Sequence, residues 1–242
     1  MTSLITQGIL LHGALLSRAS MIPLLSYLPG DISWLVPDLI GHGQCRDRQG
    51  LMLRMDPAAI ARELSDRVMH SHDAHRWVII GHSLGALVAI ELAHLLGLRG
   101  RLFLGDPPLW PCGDTQSQQE AKIALQQDSV GQRLLSDSFA NFDGTIHYGS
   151  RLFSIAADSR LMVDVVVGLL GRHQNAAGLN DCGTFISESH RRSLISWAEQ
   201  HTTGLSVVEH GAAGHFVFHD MSMLMRISRA IEQDKPLTDV VI

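Results

Sequence analysis

Cysteine is scarce in this chain. Three are present, Cys45, Cys112 and Cys182, far apart and odd in number, which argues against a disulfide-stapled scaffold and for a reducing compartment. No run of Lys and Arg occurs and the net charge is -5, so a nucleic-acid surface is not expected. Long apolar runs are missing too. Ile9-Leu10-Leu11 is too short for a signal core or a membrane span, and no basic residues precede it. The expectation is a cytoplasmic protein with no membrane partner. Internal repeats and low-complexity tracts are absent as well.

What is present is a globular composition, 45% apolar and 18% charged over 242 residues. That length holds one α/β domain with a full core and a small inserted cap. Its central stretch is Trp77-Val78-Ile79-Ile80-Gly81-His82-Ser83-Leu84-Gly85-Ala86. The apolar residues read as a buried strand and Ala86 to Ala93 as a helix, with Ser83 at the apex of a very tight turn. Such a turn strains the serine backbone and exposes its hydroxyl at the carboxyl edge of a sheet. Gly81 and Gly85 are small because strand and helix nearly touch there. The N–H of Leu84 points to where an oxyanion would form. A bare G-x-S-x-G is a weak signal; the strand before it and the helix after it are what give it weight.

Strand–helix alternation surrounds this stretch. Ile5 to Leu11 reads as a strand ending in His12-Gly13-Ala14, where Gly13 lets the backbone turn and the Ala14 N–H can face the serine. Ser17 to Leu28 has helical spacing, Ile32 to Val36 is a strand, and Asp56-Pro57 opens a helix through Ile60, Leu64 and Val68. His42, in the turn-rich run Pro37 to Gly43, reads as structural. His70, His72 and His75 read as solvated and not as metal ligands. Leu102 to Leu104 is a strand followed by Gly105-Asp106-Pro107-Pro108. Alternation of this kind implies a parallel sheet with helices on both faces and a site beyond the carboxyl ends of the strands.

Residues 109–180 break the pattern. Gln116 to Leu135 and Leu152 to Leu170 read as helices, so this region is expected to be a helical cap on a single domain spanning 1–242, with the core in 1–108 and 181–234. Trp110, Phe139, Phe142, Phe153 and Met162 to Leu170 are apolar side chains for lining a pocket or packing the cap. Alternation resumes with Gly183 to Ile186 as a strand, His190 to His201 as a helix and Ser206 to Glu209 as the last strand. Gly211 to Phe216 follows, then a helix from Met221 to Ile231. Lys235 to Ile242 reads as a loose tail.

Four pieces, Leu11-His12-Gly13-Ala14, Asp38-Leu39-Ile40-Gly41-His42-Gly43, Gly81-His82-Ser83-Leu84-Gly85-Ala86 and Ala213-Gly214-His215-Phe216, occur in an order that resembles the α/β-hydrolase superfamily. The likeness covers nearly the whole chain outside the cap. It implies Ser83 as nucleophile, His215 as base, and the Ala14 and Leu84 N–H groups as oxyanion hole. The chemistry suits those roles, because a serine hydroxyl needs an adjacent imidazole to take its proton. His210 and His219 are the competing histidines; His215 is favoured by the glycine before it and the apolar residue after it.

In this family the acid usually follows the strand preceding the last, which selects Glu188. Asp106, at the end of the strand after the nucleophile helix, is the alternative, and Asp158 a third. His12, Trp110, Phe139 and Phe216 are the candidate substrate contacts. The members' two leading antiparallel strands have no room before His12, so a trimmed six-stranded, all-parallel sheet is expected. The resemblance points to a serine acyl hydrolase acting on a carboxylic ester or thioester of a small molecule or acyl carrier, with no metal or organic cofactor. A lyase or synthase using the same triad as general base, and a binding protein on the same frame, stay open as alternatives. Whether the protein is a monomer or a dimer stays open too.

Overall fold

The computed structural model describes residues 7–14, 16–45, 56–68, 76–109, 148–158, 160–169, 173–174, 180–181, 184, 186–201 and 204–240. Among the described residues six strands form one parallel sheet: β1 (Gln7–Leu11), β2 (Ser33–Leu35), β3 (Trp77–His82), β4 (Gly100–Gly105), β5 (Leu161–Gly168) and β8 (Leu205–His210), in the order β2-β1-β3-β4-β5-β8. Between β5 and β8 lies a two-residue antiparallel pair, β6 (His173–Gln174) and β7 (Asn180–Asp181). The central strands β3 and β4 are buried at every residue, as expected of strands covered on both faces.

The helices divide between those faces. Helices α2 (Pro57–Val68), α3 (Leu84–Leu96), α4 (Tyr148–Ala156) and α5 (Glu188–Gln200) lay Ile60, Leu64, Leu87, Leu152 and Leu194 against Ile9, Ile79, Leu102, Val163 and Val165. On the opposite face, α1 (Arg18–Met21) with the 3-10 turn Ile22–Tyr27, and α6 (Met221–Gln233), cover Leu10, Ile80, Phe103, Val166 and Val208. Alternate residues of one strand feed the two cores, which is the period of two that a pleated strand imposes.

The sheet has the expected number of strands, but its fifth member differs from the expectation. Residues 148–168, assigned from sequence to the cap, are core: α4 packs on the sheet and β5 pairs with both β4 and β8. Of the stretch expected as that strand, 183–186, the described residues Thr184 and Ile186 are not in a strand but precede α5. Within β5 sits Asp164. A carboxylate inside an apolar run signals a polar face, yet here it is fully buried. Its partner is Arg101 on β4, whose Nη2 lies 2.8 Å from Asp164 Oδ2 and whose side chain is equally enclosed. Ser206 Oγ donates to Asp164 Oδ1, and the Leu237 N–H donates to the same oxygen at 2.8 Å. Arg101 Nη1 donates to the Ala230 carbonyl. Buried charges persist only when paired and hydrogen-bonded in this way.

The same network corrects the reading of the C-terminus as loose. Residues 235–240 turn back over the sheet, a 3-10 turn forms at Leu237–Asp239, and Leu237 and Val240 are buried. The expected helix at 116–135 and the candidate side chains Trp110, Phe139 and Phe142 lie outside the described residues. So do His70, His72 and His75.

Candidate active site

The sequence Gly81-His82-Ser83-Leu84-Gly85 forms the junction of β3 and α3. Ser83 sits there at φ 53, ψ -117, in a backbone region that non-glycine residues rarely adopt and that costs roughly 1–3 kcal/mol. Two glycines make this junction possible. A methyl group on Gly81 would overlap the Gly85 carbonyl, and one on Gly85 would overlap the carbonyl oxygen of Leu11. The Ser83 N–H donates to the Gly105 carbonyl at 2.9 Å, tying the apex to the end of β4. Leu84 opens α3, so its N–H stands outside the helical ladder at the positive end of the helix.

The turn after β1 runs alongside. A methyl on Gly13 would lie 3.2 Å from Ser83 Cβ, which places the Gly13-Ala14 backbone against the serine. His12 shapes that turn. It is completely buried; Nδ1–H donates to the Gly13 carbonyl at 2.8 Å, and Nε2 accepts the Leu39 N–H at 3.1 Å. Both ring nitrogens are therefore engaged in a neutral imidazole. Burial drives its pKa down to about 4, with His42 adding to the effect. His12, expected as a substrate contact, instead joins the β1 turn to the Leu39 loop. His42 braces the same loop through Nδ1–H to the Ile40 carbonyl at 2.9 Å.

His215 follows β8 in a turn packed onto the end of β5, where Gly168 lies against the Ala213 and Gly214 backbone. Its Nδ1 is 2.6 Å from Oδ2 of Asp106, both side chains being buried. Asp106 occupies the turn after β4 at φ 40, and its N–H donates to the Val166 carbonyl at 2.8 Å. His82 and Gly105 are register partners on β3 and β4. The residues that follow them, Ser83 and Asp106, therefore leave the sheet side by side.

The carboxylate facing His215 is thus Asp106 and not Glu188. Glu188 is the first residue of α5, half exposed, and its oxygens are taken by Arg191 and Arg192. Its hydrogen bond from Arg192, with the Arg191 charge beside it, holds its carboxyl below the usual range. Asp158 is paired with Arg160 in the turn before β5, at the other end of the strands. Leu169, the residue directly after β5, offers no carboxyl.

Two residues here went unnoticed in the sequence. His82 Nε2–H donates to the His215 carbonyl at 2.9 Å, and the two rings lie 4.6 Å apart. Burial and the neighbouring His215 keep its pKa well below the ordinary histidine value, hence neutral. Its position between Gly81 and Ser83 was the available signal. Thr184 Oγ1 lies 2.6 Å from Asp106 Oδ1, and nothing in the local sequence marks it. Phe216 is partly exposed and packs on the His82 and His215 rings at centroid distances of 5.4 and 5.6 Å. Among the described residues no group of His, Cys, Asp or Glu is placed to hold a metal ion, and no helix is long and apolar enough to cross a membrane.

This geometry agrees with a family match. The model of the alpha/beta hydrolase family matches residues 9–223, and the chain belongs to that family. No curated protein matches it. Among solved structures it is similar to the N-acyl homoserine lactonase AidH, with a TM-score of 0.63 and 16% identity over 98% of this chain and 91% of that one. It is similar to olei00960, a hydrolase from Oleispira antarctica, with a TM-score of 0.64 and 14% identity over 95% and 92%. It is also similar to ClbQ from the colibactin NRPS/PKS pathway, with a TM-score of 0.59 and 21% identity over 96% and 98%. At these identities the likeness is one of fold.

Proposed function

We propose that the protein is a serine-dependent acyl hydrolase of carboxylic esters or thioesters. The catalytic residues are Ser83, His215 and Asp106, and the Ala14 and Leu84 N–H groups form the oxyanion hole. The observation that carries this reading is the buried His215–Asp106 pair at 2.6 Å on the strand end next to a serine at φ 53. Asp106 accepts the Nδ1 proton and so presents the bare Nε2 of His215 for the serine proton. Ser83 Oγ attacks the acyl carbonyl while that proton passes to His215. The oxyanion is held by two backbone donors, each worth roughly 10²–10³ in rate. His215 then gives its proton to the departing alcohol or thiol, and water, deprotonated by the same imidazole, releases the acid from the acyl-Ser83.

Intact-mass labelling with a fluorophosphonate tests this reading. Stoichiometric labelling of the wild type at Ser83, absent in Ser83→Ala, is expected, together with a loss of ester turnover of at least about 10³-fold in that variant. Full turnover in Ser83→Ala would overturn the assignment. Turnover with no acyl-enzyme on Ser83 would move it to a lyase in which His215 acts as base on a substrate proton.

A further inference from the structure

Asp106 presents an unusual problem for a buried carboxylate. An aspartate at a strand end ordinarily draws hydrogen bonds from the N–H groups of the residues just after it. Here those residues are Pro107 and Pro108, which have no N–H to give. Asp106 is nevertheless fully buried, with Oδ2 turned to His215. Oδ1 is met by a residue 78 positions away, the hydroxyl of Thr184 at 2.6 Å. Thr184 is itself fixed, because its Oγ1 accepts the Ile186 N–H at 3.1 Å and Ile186 is anchored in the core. A hydroxyl has one proton, and an ionised carboxylate only accepts. The Thr184 proton is therefore directed at Asp106.

Resting on the triad assignment above, we infer that Thr184 is a positioning residue that fixes the Asp106 carboxylate for His215. The loop leading into α5 thus supplies a neutral donor to an acid carried in the turn after β4. Two bonds at the two oxygens, one to Nδ1 of His215 and one from Thr184, define the plane of the carboxylate. Removing the hydroxyl deletes this bond to Oδ1 and loosens the hold on the carboxylate's orientation toward the imidazole. A hydrogen bond to a charged group of this kind corresponds to about a tenfold effect or somewhat more.

The test uses Thr184→Val, which keeps the shape and deletes the hydroxyl, and Thr184→Ser, which keeps the hydroxyl. In ester hydrolysis, Thr184→Val is expected to lower kcat about tenfold with KM within twofold, while Thr184→Ser stays within about twofold of wild type. The second readout needs no substrate. Ring-nitrogen resonances of His215, assigned by their loss in His215→Gln, report its tautomer. In wild type and Thr184→Ser the proton resides on Nδ1; in Thr184→Val the Nδ1–H share falls. Unchanged ring resonances in a folded Thr184→Val protein, or a Thr184→Ser variant as impaired as Thr184→Val, would overturn the inference. Failure of the wild type to label at Ser83 would overturn the hydrolase reading alone, because the tautomer of His215 is read in the resting protein.

Discussion

Gly168 and Gly214 meet backbone to backbone. The last residue of β5 lies so close to the carbonyl of the residue before His215 that any Cβ at 168 would occupy the same space. Gly168 is also the register partner of His210, the last residue of β8, so the His215 turn is seated directly on the end of the sheet. Gly168→Ala must push that turn outward. A shift of about 1 Å at a catalytic group costs on the order of 10² in rate. The variant is expected to lose that much kcat while its melting temperature falls by only a few degrees. A steady-state assay beside a thermal melt checks it.

Asp106→Asn keeps the shape of the acid and removes its charge. The amide no longer selects the Nδ1–H tautomer of His215, and a loss of about 10³–10⁴ in kcat follows. Glu188→Gln is expected to leave kcat within twofold, because Glu188 answers to Arg191 and Arg192 on the surface of α5. The two variants assayed on one ester separate the carboxylates.

How far the sequence reveals this arrangement depends on whether a residue's role is local. Gly81, Ser83 and Gly85 announce the elbow because a strained turn needs those residue types at those spacings, and Gly13 is legible for the same reason. Asp106 was visible only as an alternative, since an aspartate before proline at a strand end has an equally good account as a turn. Glu188 stood in the place the resemblance favoured, whereas the three-dimensional position of His215 brings Asp106, not Glu188, beside its imidazole. Asp164 is not legible in this way. Its burial depends on Arg101, 63 residues earlier, and a pattern read along the chain cannot register a partner supplied from another strand. Thr184 left no trace, because its role is defined wholly by a contact across 78 residues.

Removing one member of the buried pair is costly. Asp164→Asn leaves Arg101 charged in a dry interior, and a loss of about 3–5 kcal/mol is expected. Asp164→Leu combined with Arg101→Met should recover only part of it, since the apolar pair needs no desolvation but leaves the Leu237 N–H, the Ser206 hydroxyl and the Ala230 carbonyl without these partners. Urea unfolding of the three proteins measures both effects.

Acid should loosen the β1 turn. His12 has a pKa of about 4 when folded against an ordinary value of 6.5, so the unfolded chain binds the extra proton first. Stability from this residue is complete above about pH 6.5 and is lost as the pH falls toward 4, by about 3 kcal/mol. The depressed His82 acts in the same direction. Urea midpoints between pH 7 and pH 4 should fall less steeply in His12→Asn than in wild type. Parallel slopes would show that His12 carries no such linkage.

The contacts of Asp164 also bear on how the polypeptide is made. The carboxylate is closed by Arg101, Ser206 and the N–H of Leu237, while Arg101 is held in turn by Ala230. During synthesis, β4 and β5 leave the ribosome long before the last of these groups. Until Leu237 has cleared the exit tunnel, the centre of the sheet contains an ion pair lacking part of its shell. A chain shortened to end before Leu237 therefore lacks one of the donors to the buried Asp164 carboxylate, and its sheet is expected to be held less firmly.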